Sequence, residues 1–112
     1  MTRLTTIFEN LGVSPKGKSC KAMEGLLAEG AELMKEDAEP AVLDAGLIAA
    51  AQRVEHYEMA GYGMARALAR RLGENQVADV LQKTLTEEGE ANKKLTSIAE
   101  EQVNLRATFR SE

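Results

Sequence analysis

Between Pro40 and Gly73 the apolar side chains return at helical intervals without a break. Leu43, Leu47, Ala50, Ala51, Val54, Gly61, Ala65, Leu68 and Leu72 fall on one stripe roughly 100° wide. Pro40 suits the first turn of a helix and Gly73 its end, which predicts one long element from Ala41 to Leu72. A second stripe follows at once, made of Val77, Leu81, Leu85, Leu95, Ala99 and Val103, and predicts a helix from Gln76 to about Leu105 with Asn75 as its cap. Two long helices joined by so short a turn must lie antiparallel. No segment shows sustained alternation with β-branched residues, so the chain reads as all-α.

The N-terminal third reads as two shorter helices. Leu4, Ile7, Phe8 and Leu11 share one side of a helix from Thr2 to Leu11, and Gly12 is the expected stop. Pro15 and Gly17 mark Val13 to Lys18 as a loop. Ser19 is then the expected cap of a helix running to about Asp37, with Met23, Leu26, Leu27, Gly30, Leu33 and Met34 on its apolar face. Arg106 to Glu112 loses apolar periodicity and is expected to fray. At 112 residues the whole reads as one domain, 1–112, with a modest core.

Acidic residues interrupt both long stripes. With Leu47 as the centre of the first, Glu58 lies about 20° away and Glu55 about 80° away. Glu88 lies about 20° from the centre of the second, near Thr84 and Asn92, while Glu87 and Glu90 face outward or to the flank. Glu58 stands 15 residues before Gly73 and Glu88 stands 15 after it, so the two share a level in an antiparallel pair. A buried carboxylate needs a cation, a hydrogen-bonding network or a proton. Inward glutamates on facing helices are the ingredients of a carboxylate metal site for iron or manganese. The bland alternative pairs Glu58 and Glu88 with basic or amide side chains, or leaves them wet at a subunit edge.

A complete di-iron bundle site also uses Glu-x-x-His, and this sequence has none. Glu55-x-x-Glu58 stands in its place, with Glu88 as the residue from the neighbouring helix. His56 points opposite Leu47 and is the weakest candidate ligand. Tyr57 and Tyr62 flank the stripe, where tyrosine packs its ring and keeps its hydroxyl near water. Gly61 and Gly63 cost helix stability, so they are expected where helices approach closely at the acidic level. Cys20, Met23, Met34, Met59 and Met64 read as packing residues, and Glu29, Glu32, Glu36 and Asp37 as a solvated face.

Composition removes several function classes. A net charge of −4 with two Tyr, two Phe and no Trp argues against nucleic acid. Cys20 is the single cysteine, which excludes an intramolecular disulfide and suggests a reducing compartment. No segment approaches the roughly 18 apolar residues of a membrane span, so no membrane association is expected and the expected location is cytoplasmic. A hydrolase or nucleotide enzyme is disfavoured by the lack of a phosphate loop and by a lone, outward His56.

The segments CKAMEGLLAEG (Cys20 to Gly30), DAGLIAAAQRVEHYEMAGYG (Asp44 to Gly63) and LQKTLTEEGEANKKLTSIA (Leu81 to Ala99), preceded by IFENLG (Ile7 to Gly12), resemble the bacterial YciE/YciF-type ferritin-like proteins. The resemblance covers nearly the whole chain. It implies a ferritin-like helical bundle, a dinuclear iron or manganese site, and a link to stress responses. The reaction it implies is poorly defined, with ferroxidase-type or peroxide-linked oxidation as the chemistry such a site serves. Glu55, Glu58 and Glu88 carry over by position, with His56 a weaker fourth. Members of that family carry, upstream of the segment matching Ile7 to Gly12, one helix with an inward Glu and most of another with a Glu-x-x-His. The present sequence starts after both, so a partial bundle is expected. A homodimer supplying Glu55, Glu58 and Glu88 twice would restore the site. The competing expectation is a helical association module, or a truncated member without a working metal site.

Overall fold

The computed structural model describes residues 2–109. Its helices are α1 (Thr2–Leu11), α2 (Lys21–Met34), α3 (Pro40–Arg71), α4 (Asn75–Ile98) and α5 (Asn104–Thr108), with a π-helical turn, Ala99–Val103, between the last two. No strand occurs among the described residues. Arg110 to Glu112, the end of the stretch expected to fray, lie outside them.

Both predicted glycine stops form. Gly12 (φ 66°) and Gly73 (φ 79°) adopt the left-handed conformation that costs glycine nothing. After α1, Gly12 N–H donates to the Glu9 carbonyl and Val13 N–H to Phe8, each at 3.1 Å. After α3, Gly73 N–H donates to Arg70 at 3.1 Å and Glu74 N–H to Ala69 at 2.8 Å. This paired pattern satisfies the last carbonyls of each helix and reverses the chain.

The helix starts are less as expected. The cap of α2 is Cys20, whose Sγ accepts from Met23 N–H at 3.4 Å, and Ser19 lies outside the helix. The helix ends at Met34, short of Asp37, because Glu39 before Pro40 is extended (φ −54°, ψ 138°), as a residue preceding proline prefers. Asn75 is the first residue of α4 and not its cap; Glu74 holds that position without a side-chain cap bond. The helix expected to run to Leu105 gives way at Ala99 to the π turn and resumes as α5, where Ala99 is buried.

α3 and α4 pack along each other as the antiparallel pair, and α2 lies against the first half of α3. The α2–α3 crossing is tightest at Gly46, where an added Cβ would sit 2.7 Å from Leu33 Cδ2. Gly61 and Gly63 correct the expectation placed on them, since a Cβ at either would meet nothing within 4 Å. Cys20, Met34 and Met64 are likewise exposed, not packed. The core sits at the turn end, where Ile7 of α1 joins Ala69, Val77, Ala78 and Leu81, flanked by Leu4, Tyr62 and Val80. With so small a core the molecule is long, 62 × 27 × 20 Å, and its radius of gyration is 17.8 Å where a compact chain of this length has about 13 Å.

Candidate metal centre

The antiparallel pairing brings the middle of α3 against the middle of α4, and with it the predicted acids. Glu55 of α3 and Glu88 of α4 lie near enough to act on each other, and it is a hydrogen bond from Glu88 toward Glu55 that most raises Glu88. Two carboxylates are both acceptors, so such a bond requires a proton between them. Glu88 is accordingly pushed up to about 7, first by the hydrogen bond with Glu55, then by burial and by the negative charges of Glu55 and Glu87. Burial and the charge of Glu88 raise Glu58 as well. Tyr62 is raised by burial and by Glu58 and Glu88, which places its ring in the same negative field.

Two oxygens at this level are buried without a donor: Glu55 Oε2 and Asn92 Oδ1. Asn92 lies four residues after Glu88, on the same face of α4. One turn further, Gln52 Nε2 donates to Thr96 Oγ1 at 2.7 Å and to the Asn92 carbonyl at 3.5 Å, tying α3 to α4. The basic side chains nearby are engaged elsewhere. Arg3 binds Glu87 through two 2.7 Å hydrogen bonds and Thr84 at 3.1 Å, drawing Glu87 down. Arg66 Nη1 donates to Gln82 Oε1 at 2.6 Å, while its Nε is buried without an acceptor. The bland pairing of the inward acids with basic residues is therefore not what the described residues show.

The site opens beside the N-terminal end of α1. Leu4, Tyr57, Glu58, Gly61 and Tyr62 line a cavity of about 250 Å3, and Arg3, Tyr62, Thr84, Glu87 and Glu88 line a polar one of about 390 Å3. Gly61 and Gly63 find open space because the surface beside them is uncovered. His56 is exposed, with Nδ1 2.8 Å from the Gln52 carbonyl oxygen. It is not brought to the acids. Tyr57 is turned to α2, its hydroxyl 3.0 Å from Cys20 Sγ.

Among the described residues, no group of three or more His, Cys, Asp or Glu converges tightly enough to hold a metal ion. One copy thus assembles a pair, Glu55 and Glu88, with Glu58 nearby. The donor chemistry nevertheless fits a hard or borderline cation such as ferrous or manganous ion: all oxygen, net negative, with two buried acceptors lacking donors. Asn92 stands beside Glu88 in the sequence reading but was not singled out as an oxygen donor, because a carboxamide carries no charge to stand out in an apolar stripe. The only available signal was its spacing of one turn from Glu88.

Residues 1–108 match the family described as Domain of unknown function (DUF892). Over 92 residues, 82% of this chain, the sequence is 47% identical to protein YciF of Escherichia coli (strain K12), of which it covers 55%. The crystal structure of the E. coli stress protein YciF superposes with a TM-score of 0.86 at 42% identity, over 92% of this chain and 65% of that one. YcfI from Rhodopseudomonas palustris superposes with a TM-score of 0.83 at 44% identity, over 88% of this chain and 62% of that one. The chain therefore spans between 55% and 65% of the length of these relatives.

Proposed function

The chain belongs to the DUF892 family, the YciF-type helical-bundle proteins, and from that premise we propose that it is a ferritin-like, carboxylate-rich protein that binds iron or manganese. Glu55, Glu58 and Glu88 would hold the ion, Asn92 would add its carboxamide oxygen, and a second copy would supply the ligands that one copy lacks. The observation that supports this reading is the pair of buried, donorless oxygens, Glu55 Oε2 and Asn92 Oδ1, on the facing helices α3 and α4 beside Glu88. Buried acceptors without donors cost free energy, and a cation removes that cost.

The chain's own part is electrostatic and steric. To hold a cation Glu88 would have to give up its proton, and Gln52 ties α3 to α4 through Thr96. Leu4 of α1 and Tyr62 line the cavity beside Glu58. Iron or manganese held there would exchange electrons with oxygen or peroxide. Because the E. coli relative is described as a stress protein, the proposed setting is a bacterial stress response in the cytoplasm. Among the described residues no helix is long and apolar enough to cross a membrane.

Anaerobic titration with ferrous or manganous ion, followed by calorimetry and by the shift in melting temperature, tests the assignment. Glu58→Ala and Glu88→Ala are expected to abolish the saturable site, and Asn92→Ala to weaken it by roughly 10-fold, as loss of a supporting ligand does. Unchanged stoichiometry in both glutamate variants would sink the reading.

A further inference from the structure

Leu4 and Tyr62 line both cavities beside the acids, the one that reaches Glu58 and the polar one that reaches Glu88. The N-terminal end of α1 therefore stands between them, and whatever holds it there governs how open the acidic centre is. Ile7 is the buried residue of α1, set in the core at the turn end. One turn before it Leu4 is half-buried against the same core. Beyond that, Arg3 sets a two-pronged guanidinium on the Glu87 carboxylate, 2.7 Å to each oxygen, and Nη1 also donates to Thr84 Oγ1 at 3.1 Å. Two parallel charge-assisted bonds fix orientation as well as distance. After α1 the chain runs over the surface, with every residue from Leu11 to Cys20 exposed. A ten-residue helix is marginal in water by itself, so these few attachments decide where α1 lies.

We propose that α1 is a strap at the acidic centre, pivoting on Ile7 and latched by the Arg3 fork on Glu87, and that release of the fork merges the two cavities and opens Glu58 and Glu88 to solution. Two features favour a latch that opens over a fixed brace. The fork is reached by water, with 41% of the Arg3 side chain and 61% of the Glu87 side chain exposed, so it has the strength of a surface ion pair and salt screens it. Lifting the Arg3 end also leaves Ile7 in the core, and the segment from Leu11 to Cys20 has no buried side chain to withdraw. Where the centre takes iron or manganese, and this part rests on that reading, the latch sets the rates at which the cation enters and leaves. Affinity is unchanged, because the fork closes on an empty and a filled centre alike.

The chain has two tyrosines and no tryptophan, so Tyr57→Phe leaves Tyr62, which lines both cavities, as the one tyrosine emitter. Quenching of its emission by acrylamide, an uncharged probe, in the full metal-free chain of that background is the test. Arg3→Ala is expected to raise the quenching constant roughly 2- to 5-fold, the range of a surface ion pair, with helical circular dichroism kept. Arg70→Ala, which removes the 3.9 Å pair with Asp79, is expected to leave quenching as it was. Raising the ionic strength from about 0.01 M to about 1 M should increase quenching when Arg3 is present and not in Arg3→Ala. Exchanging the charges, Arg3→Glu with Glu87→Arg, should return quenching toward the starting value, a rescue that mere loss of helix stability would not show. With manganous ion at fixed ionic strength, entry and exit followed by competition with a chelating dye should both quicken by one factor in Arg3→Ala, with Kd unchanged. Tyr62 quenching indifferent to Arg3→Ala overturns the strap whatever the metal does, and so does manganese that binds and leaves that variant at unaltered rates. A chain that binds no metal while its quenching follows the fork upholds the strap and defeats the metal reading.

Discussion

Glu88 shows how one side chain links the site to pH. Its carboxyl titrates at about 7 in the fold against an ordinary value of 4.5, so between those values the native state holds a proton that the unfolded chain releases. The stabilising contribution of that proton is complete below about 4.5 and is lost as the pH rises through about 7. Glu58, raised by burial, acts in the same direction. Metal-free protein is therefore expected to melt higher at about pH 5.5 than at about pH 8, with the difference reduced in Glu88→Gln. Manganese binding should run the opposite way, tightening as the pH rises through about 7, because the cation competes with the same proton. Calorimetric melting curves with and without manganese check both slopes. Legibility at this scale followed charge. Glu55, Glu58 and Glu88 stood out against apolar neighbours, whereas Asn92 and the capping sulfur of Cys20 did not, because an amide looks like any surface residue and a thiol is a weak substitute for the Ser19 hydroxyl beside it.

Whole helices were the most readable objects in the sequence, and the reason is locality. The α3 and α4 spans follow from spacing within each segment, and the reversal at Gly73 from one backbone conformation only glycine adopts freely. What a glycine faces is a different matter, because it depends on a neighbour arriving from elsewhere in the chain. Gly46 meets Leu33, while Gly61, in the same helix, meets nothing. The two substitutions should accordingly have opposite signs. Gly61→Ala is expected to stabilise the metal-free fold by about 0.5 to 1 kcal/mol through helix propensity. Gly46→Ala is expected to cost about 1 to 3 kcal/mol, since its methyl would force Leu33 off its rotamer and push α2 from α3. Urea unfolding of the pair measures both. The π turn at Ala99–Val103 had no counterpart in the sequence pattern, which keeps helical spacing through Val103.

At the scale of the molecule, the sequence placed the all-α class and the antiparallel pair correctly, while its stripes promised a fuller interior than one copy builds. Leu68 and Leu72 continue the apolar period of α3 but lie largely in solvent, because period identifies which side of a helix seeks cover and not whether cover is present. The position of the core has a further consequence, for how the molecule comes apart. Ile7, Ala69, Val77, Ala78 and Leu81 knot one end of a body 62 Å long, while the far end, where α2 and α5 each pack on α3, has no comparable cluster among the described residues. Opening should then proceed like a zip from that far end, with local excursions that never disturb the knot. Native-state hydrogen exchange is expected to show the slowest amides in residues 66–82 and progressively faster ones toward 40–50 and 95–108. A protease would accordingly be expected to enter at the far end well before the knot at Gly73 gives way.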